Sequence, residues 1–292
     1  MATTGAARRT WYHTIDLPGR GATPGYFDTR AAPPHVPWPA QLPGGRCLDV
    51  GTCDGFWAFE MERRGASEVV ACDLDDPHQI DWAYDFRRSG PEAIGQWGSG
   101  RGPGFSEAAA ALGSNAKWLA RSAYDLDPAR DGTFDVVLCG ALLLHLRDPV
   151  RALEAMRSVC TGAMVLVEAV DPALEVVARR APAARLRPES DEWWRVNSAG
   201  LCQLADTAGF RVMQVGRRFL VPHGPGAPPG HRLSALAGVL AGHPGRRGLL
   251  TRALLAEPRP PHDAQAAPPA PDAQAAPPAP DAQAAPPAPG AA

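Results

Sequence analysis

The chain has 292 residues, 45% hydrophobic and 21% charged, with a formal net charge of −2, enough for one large or two small globular domains. The near-neutral balance excludes the electrostatic footprint of a strong nucleic-acid binder. No apolar run reaches membrane-span length, no secretory leader pattern opens the chain and none of the six cysteines forms a C-x-x-C pair, so a reduced, cytoplasmic protein with no metal site is expected.

Met1–Thr10 is small and polar and is expected to fray. Trp11-Tyr12-His13-Thr14-Ile15-Asp16-Leu17 alternates like a strand or a short amphipathic segment, and Pro18–Gly21 is a turn. Thr23–Arg30 adds Tyr26, Phe27, Asp28 and Arg30. So many aromatic and hydrogen-bonding groups ahead of the first core strand fit a lid over a ligand, or equally an arm packing its aromatics on the domain. Pro33–Pro43 is a proline-rich connector.

The chain is organised around Arg46-Cys47-Leu48-Asp49-Val50-Gly51-Thr52-Cys53-Asp54-Gly55-Phe56-Trp57. Its first residues predict a strand, its glycines a loop, and Phe56–Arg64 a helix ended by Gly65. Strand, glycine loop and helix N-terminus bring backbone N–H groups against a nucleotide-like ligand. The dinucleotide pattern G-x-G-x-x-G fits poorly, because Cys53 and Phe56 stand where its second and third glycines belong. Glu68–Asp73 is the second strand, and Asp73, 22 residues after Gly51, can accept both ribose hydroxyls of an adenosine.

Asp75–Gly104 is irregular, and a loop of that length in a compact domain has work to do. Phe105–Leu112 predicts a helix, Trp118–Ser122 the third strand, and Phe134–Gly140, almost purely apolar, a strand covered on both faces. Val150–Val159 is a helix and Ala163–Glu168 the fifth strand. Ser198–Ala208 is a helix stopped by Gly209, followed by the strand Phe210–Val215. The βα alternation predicts an α/β fold, a doubly wound and mostly parallel Rossmann-like sheet. His231–Leu240 and Gly248–Ala256 read as helical pieces of a C-terminal clasp. Asp-Ala-Gln-Ala-Ala-Pro-Pro-Ala-Pro then occurs three times between 263 and 289, a composition that builds no core and predicts a disordered tail. The expected organisation is an N-terminal lid over 1–45, a core over 46–222, the clasp over 223–258 and the tail over 259–292.

Asp49, Gly51 and Gly55 match motif I, D-x-G-x-G-x-G, of class I S-adenosylmethionine (SAM) methyltransferases, which the stretch resembles; Cys53 replaces the middle glycine. Together with Trp11-Tyr12-His13, Thr23–Asp28, Leu144-His145, Asp148-Pro149 and Trp194–Asn197, the pattern over about residues 10–220 is similar to the branch of tRNA wobble-uridine carboxymethoxy enzymes and their actinobacterial-type, small-molecule relatives. The resemblance implies SAM as cofactor. Asp49 would lie near its methionine amino group, Gly51, Thr52, Asp54 and Gly55 would wrap the methionyl part, and Asp73 would hold the ribose. Leu74, Ser122, Ala123 and Cys139 are further cofactor candidates, and Tyr26 and Arg30 match the aromatic and basic residues that precede the first strand in that branch. The tRNA enzymes meet the extra carboxylate of carboxy-SAM with a lysine and a tyrosine. Here Leu144 stands at the tyrosine position and no lysine lies near Trp11–Thr14, so ordinary SAM is expected.

Methyl transfer to a weakly acidic N–H, O–H or ring carbon needs a proton acceptor. His145, after the fourth strand, is the first candidate, with a packed core histidine as its alternative; His13 and Tyr12 are the next, and Asp28 would orient a base or grip the acceptor. Trp11, Trp194 and Asn197 are candidate acceptor contacts, Asn197 being slightly better suited to cap the helix that begins at Ser198. The expected reaction is methylation of a small, aromatic or indole-like secondary metabolite. Wobble-uridine modification and a non-catalytic binding protein on the same fold are the alternatives.

Overall fold

A computed structural model describes residues 10–84, 102–187, 192–227 and 248–260. The chain divides into compact units at 1–258 and 259–292. The predicted fraying of residues 1–9, the repeat tail, the helix predicted over His231–Leu240 and part of the long loop after Asp75 lie outside the described residues.

In the first unit, β5 (Arg46–Val50), β6 (Glu68–Asp73), β7 (Lys117–Ala120), β8 (Phe134–Gly140) and β9 (Cys160–Ala169) form a parallel sheet. Two further strands, β12 (Phe210–Val215) and β14 (Leu249–Pro258), complete the order β12-β14-β9-β8-β5-β6-β7. The short β13 (Phe219–Val221) pairs with the outer half of β14. The order reverses beside β5, and ligands of open α/β sheets settle outside the strand ends at such a switch.

The predicted helical clasp is corrected here: Gly248–Ala256 is not helical but supplies most of β14, antiparallel to β9 and to β12. Its Leu and Ala residues favour a helix in isolation, but the segment lies between two strands and is buried on both faces, so pairing and packing override local preference. β7 ends at Ala120, two residues before the predicted strand end, and Arg121–Ser122 begin the loop that follows.

Helices α1 (Phe56–Arg63) and α2 (Pro103–Leu112) lie against one face, and α3 (Pro149–Val159) and α4 (Ser198–Thr207) against the other. Asp148 caps α3, accepting the Arg151 N–H, and Pro149 fills the first turn, where a missing N–H costs nothing. Leu153, Met156, Leu201 and Phe210 build the core on that side, and Trp57, Met61, Leu138 and Val165 on the other. No helix among the described residues is long and apolar enough to cross a membrane.

The N-terminal arm shares this second core. Strand β1 (Trp11–His13) runs parallel to β4 (Gly25–Phe27), and β2 (Asp16–Leu17) pairs with β3 (Gly21–Ala22) around the predicted turn. Gly25 permits the close approach, since a Cβ there would lie 2.2 Å from the His13 carbonyl carbon. Trp11, Ile15 and Leu17 are buried against α1 and the sheet, each contributing about 2 kcal/mol of apolar burial. The arm is part of the domain.

Candidate active site

The loop between β5 and α1 turns sharply at the sheet's switch point. Gly51 (φ 78°) has the left-handed conformation glycine supplies without strain, and a Cβ there would meet the Leu142 side chain at 2.9 Å. The Gly51 and Thr52 N–H groups donate to the Cys72 carbonyl at 2.8 and 3.1 Å, tying the loop to the end of β6. Cys53 (φ 54°) adopts the same left-handed region, which explains why a glycine is usual at this point of the motif and costs a side chain about 1 kcal/mol. Its N–H donates to Asp73 Oδ2 at 2.7 Å, and the Leu74 N–H donates to Asp73 Oδ1 at 2.7 Å. Asp73 is thereby aimed along the loop.

Two buried carboxylates flank that turn and differ in their hydrogen bonding. Asp49 is 1% exposed, and neither of its oxygens, nor the Thr52 hydroxyl beside it, has a hydrogen-bond partner of normal geometry. Burial pushes its carboxyl up to about 7, against the pull of Thr52, His13 and the Ala58 N–H. Asp54 is also fully buried, but its Oδ2 accepts the Tyr12 and His13 N–H groups, both at 2.8 Å, and its Oδ1 meets His13 Nδ1. Asp54 thus fastens the N-terminal arm to the loop and orients the His13 ring.

Around this turn lie two hollows. Gly51, Asp73, Leu74, Ser122, Ala123, Leu142 and His145 line a cleft of about 50 Å³. Its far side is closed by Asp81 and Tyr124: the Tyr124 hydroxyl donates to Asp81 Oδ2 at 2.5 Å, the Arg147 N–H donates to the same oxygen at 2.9 Å, and the Asp148 N–H donates to the Tyr124 oxygen at 3.0 Å. Burial and Asp81 hold the Tyr124 hydroxyl well above its ordinary pKa. The second hollow, about 30 Å³, is lined by Tyr12, His13, Trp57, Ala141, Val167 and Thr251 among others, room for about one water. Ala141 is also left-handed (φ 51°), so non-glycine backbone strain occurs on both sides of the turn.

The profile of the family described as "Methyltransferase domain" matches residues 29–215, well over half the chain. The chain belongs to that family. It is a class I SAM-dependent methyltransferase. No curated protein matches it in sequence. Among solved structures it is similar to the Burkholderia thailandensis 1,6-didemethyltoxoflavin-N1-methyltransferase (14% identity, TM-score 0.45, covering 75% of this chain and 72% of that one). It is likewise similar to the magnesium protoporphyrin IX methyltransferase of Synechocystis (16%, 0.42, covering 75% and 76%) and to the N-terminal domain of EvdMO1 (17%, 0.47, covering 85% and 91%).

Of the residues singled out in the methyltransferase's sequence, the structure gathers Gly51, Asp73, Leu74, Ser122 and Ala123 in one cleft with Asp49 and Thr52 at its base strand and loop. His145 lines that same cleft and is absent from the His13 hollow. Gly55 (φ 95°) starts α1 and packs against Phe59.

The structure places several of the predicted residues elsewhere. Asp54 turns to the arm, its oxygens taken by β1. Arg30 is held by Asp28 and by Asp16 at 2.7 Å on the surface, and Asp28 also caps the turn at Thr29, so neither reaches the cleft. Tyr26 stacks edge-on against Phe27 and His223. Trp11 is core, and Cys139 is fully buried within β8, its thiol pushed up by burial. Asn197 is 1% exposed and saturated: Oδ1 accepts from Gly200 and Ala183 N–H, and Nδ2 donates to the Ala178 and Ala181 carbonyls. It caps α4. Trp194 lines a different cavity, beside α3 and α4.

Three contributors escaped the sequence reading. Trp57 reads in the sequence as a helix residue at the end of the motif, without a role at the site, yet its Nε1 would lie 2.6 Å from a Cβ at Gly140, so it closes the end of β8. Asp81 sits in an irregular stretch without a motif. Glu168 ends β9, where it accepts the Leu142 and Leu143 N–H groups at 2.8 and 2.9 Å; its position at a strand end was the available signal.

Proposed function

We propose that this methyltransferase methylates a small organic acceptor, with the His13–Asp54 pair as its proton acceptor. The observation that supports this most is the pair itself: a buried carboxylate orients a histidine that lines an apolar hollow beside the cofactor loop. A histidine so held can act as a general base through its other ring nitrogen.

The residues present fit SAM. The unpartnered Asp49 carboxylate suits the amino group, the Gly51–Gly55 turn the methionyl part, Asp73 the ribose hydroxyls, and Leu74, Ser122, Ala123 and His145 the adenosine side. Bound SAM supplies a methyl group on an electrophilic sulfonium. The chain's own contribution is alignment, exclusion of water by Trp57 and the arm, and removal of the acceptor's proton at His13.

The reading places His13 in the role expected of His145. It is tested by calorimetric titration of SAM and carboxy-SAM into the wild type and Asp73→Ala, followed by turnover assays with small aromatic N–H and O–H acceptors. Expected are micromolar SAM binding, roughly −8 kcal/mol, weakened at least about fiftyfold in Asp73→Ala, and turnover lost in His13→Ala with SAM binding retained. Tighter binding of carboxy-SAM than of SAM contradicts the methyl-transfer reading.

A further inference from the structure

Across the Leu142–Arg147 turn from the cofactor cleft lies a larger cavity, about 320 Å³, with walls from α3, α4 and the hairpin of β10 (Ala184–Leu186) and β11 (Trp194–Val196). Its lining is mostly apolar, with Leu144, Val150, Leu201 and Leu204 among its walls. Trp194 forms one side, its indole held by a hydrogen bond from Nε1 to the Arg147 carbonyl at 3.2 Å. A volume of this size is that of a small-molecule pocket. Most of the core, by contrast, is closed.

One polar group stands at its inner end. Glu168 is 2% exposed, lines the cavity, and receives both of its hydrogen bonds, from the Leu142 and Leu143 N–H groups, on Oε1. Oε2 receives neither. Arg195, the opposing charge that acts on it, is committed to Glu192. A carboxylate oxygen that receives no hydrogen bond and opens onto an apolar cavity from a residue only 2% exposed favours a ligand donor. Burial accordingly pushes the Glu168 carboxyl up to about 7, despite the two N–H groups and Arg195. The mouth carries Arg147 and Asp148, which offset one another and do not select for ligand charge.

We infer that this cavity is a binding site for a planar, largely apolar molecule bearing one N–H or O–H donor, which lies along Trp194 and donates to Glu168 Oε2. The site is separate from the cofactor cleft and stands whether or not the proposed acceptor chemistry is right. The aromatic face of Trp194 and the leucine walls supply affinity, and Glu168 supplies selection, because an analogue lacking the donor leaves a buried oxygen unmet.

The test is saturation-transfer NMR on the full chain with indole and N-methylindole as probes, in the presence of saturating SAM. The expected result is indole binding that SAM does not displace, at least about tenfold tighter than N-methylindole. Leu204→Trp, which fills the cavity, is expected to abolish it. Glu168→Gln is expected to erase the preference between the two probes, since the amide donates where the carboxylate accepted. Equal affinity of the wild type for both probes overturns the inference without reference to any variant. So does displacement of indole by SAM, or indole binding unchanged in a folded Leu204→Trp protein.

Discussion

Asp49, near the end of β5, and Asp54, on the loop that follows, stand five residues apart, both buried, and do opposite things. Asp54 has three partners, all on β1, and is a structural fastener. Asp49 has none of normal geometry and is pushed towards protonation. A buried acid that is satisfied holds the fold together; one left unsatisfied is costly to the fold and suits a ligand that brings the missing donors. The turn after β5 is therefore fastened through Asp54 to the arm that carries His13, while Asp49 beside it holds a carboxylate without partners of normal geometry.

The sharpest way to break this comparison is Asp54→Ala. It strands two backbone N–H groups and the His13 ring, and about 3 kcal/mol of unfolding free energy is expected to be lost in urea denaturation. A loss below 1 kcal/mol would show that the arm holds by apolar packing alone. Asn197→Ala removes another saturated buried group and is expected to cost about 2 kcal/mol by the same measurement, with SAM affinity unchanged. If Asn197→Ala instead keeps stability while acceptor affinity falls, its assignment as a cap fails. The smallest effect lies between the two acids. Cys53→Gly relieves the left-handed strain at φ 54° and is expected to raise stability by about 1 kcal/mol; a decrease would show that the Cys53 side chain packs favourably enough to outweigh the strain.

The turn after β5 and the end of β6 were readable in the sequence because their signals are local. Gly51 and Gly55 mark turns that need positive φ, and Asp73 lies at a strand end whose distance from the loop is set by one helix and one strand. Glu68–Asp73, Phe134–Gly140 and Phe210–Val215 are strands with the bounds their apolar patterns predict. The arm side was not readable in the same way. Which side of the loop Asp54 faces, and whether Arg30 meets a ligand or Asp16 and Asp28, depends on how residues 10–45 cross the sheet. The misread strand β14 has the same cause. Its alternation is blurred by burial on both faces, and its partners β9 and β12 are distant in sequence.

The pH behaviour of Asp49 follows from its burial. Between the ordinary aspartate value of 3.8 and about 7, the folded protein holds a proton that the unfolded chain has released. This carboxyl therefore makes the apo protein less stable as pH rises through that window, and the loss levels off above it. A ligand amino group reverses the preference, because it requires the ionised form. The decisive measurement is SAM titration calorimetry at about pH 6 and about pH 7.5, both below the amino group's own pKa of roughly 7.7–8.0, on the wild type and Asp49→Asn. SAM is expected to bind the wild type roughly fivefold more tightly at the higher pH, and to bind Asp49→Asn more weakly with no such gain. Wild-type affinity that is flat across this range, or an Asp49→Asn variant that binds like the wild type, would contradict the division of labour between the two acids.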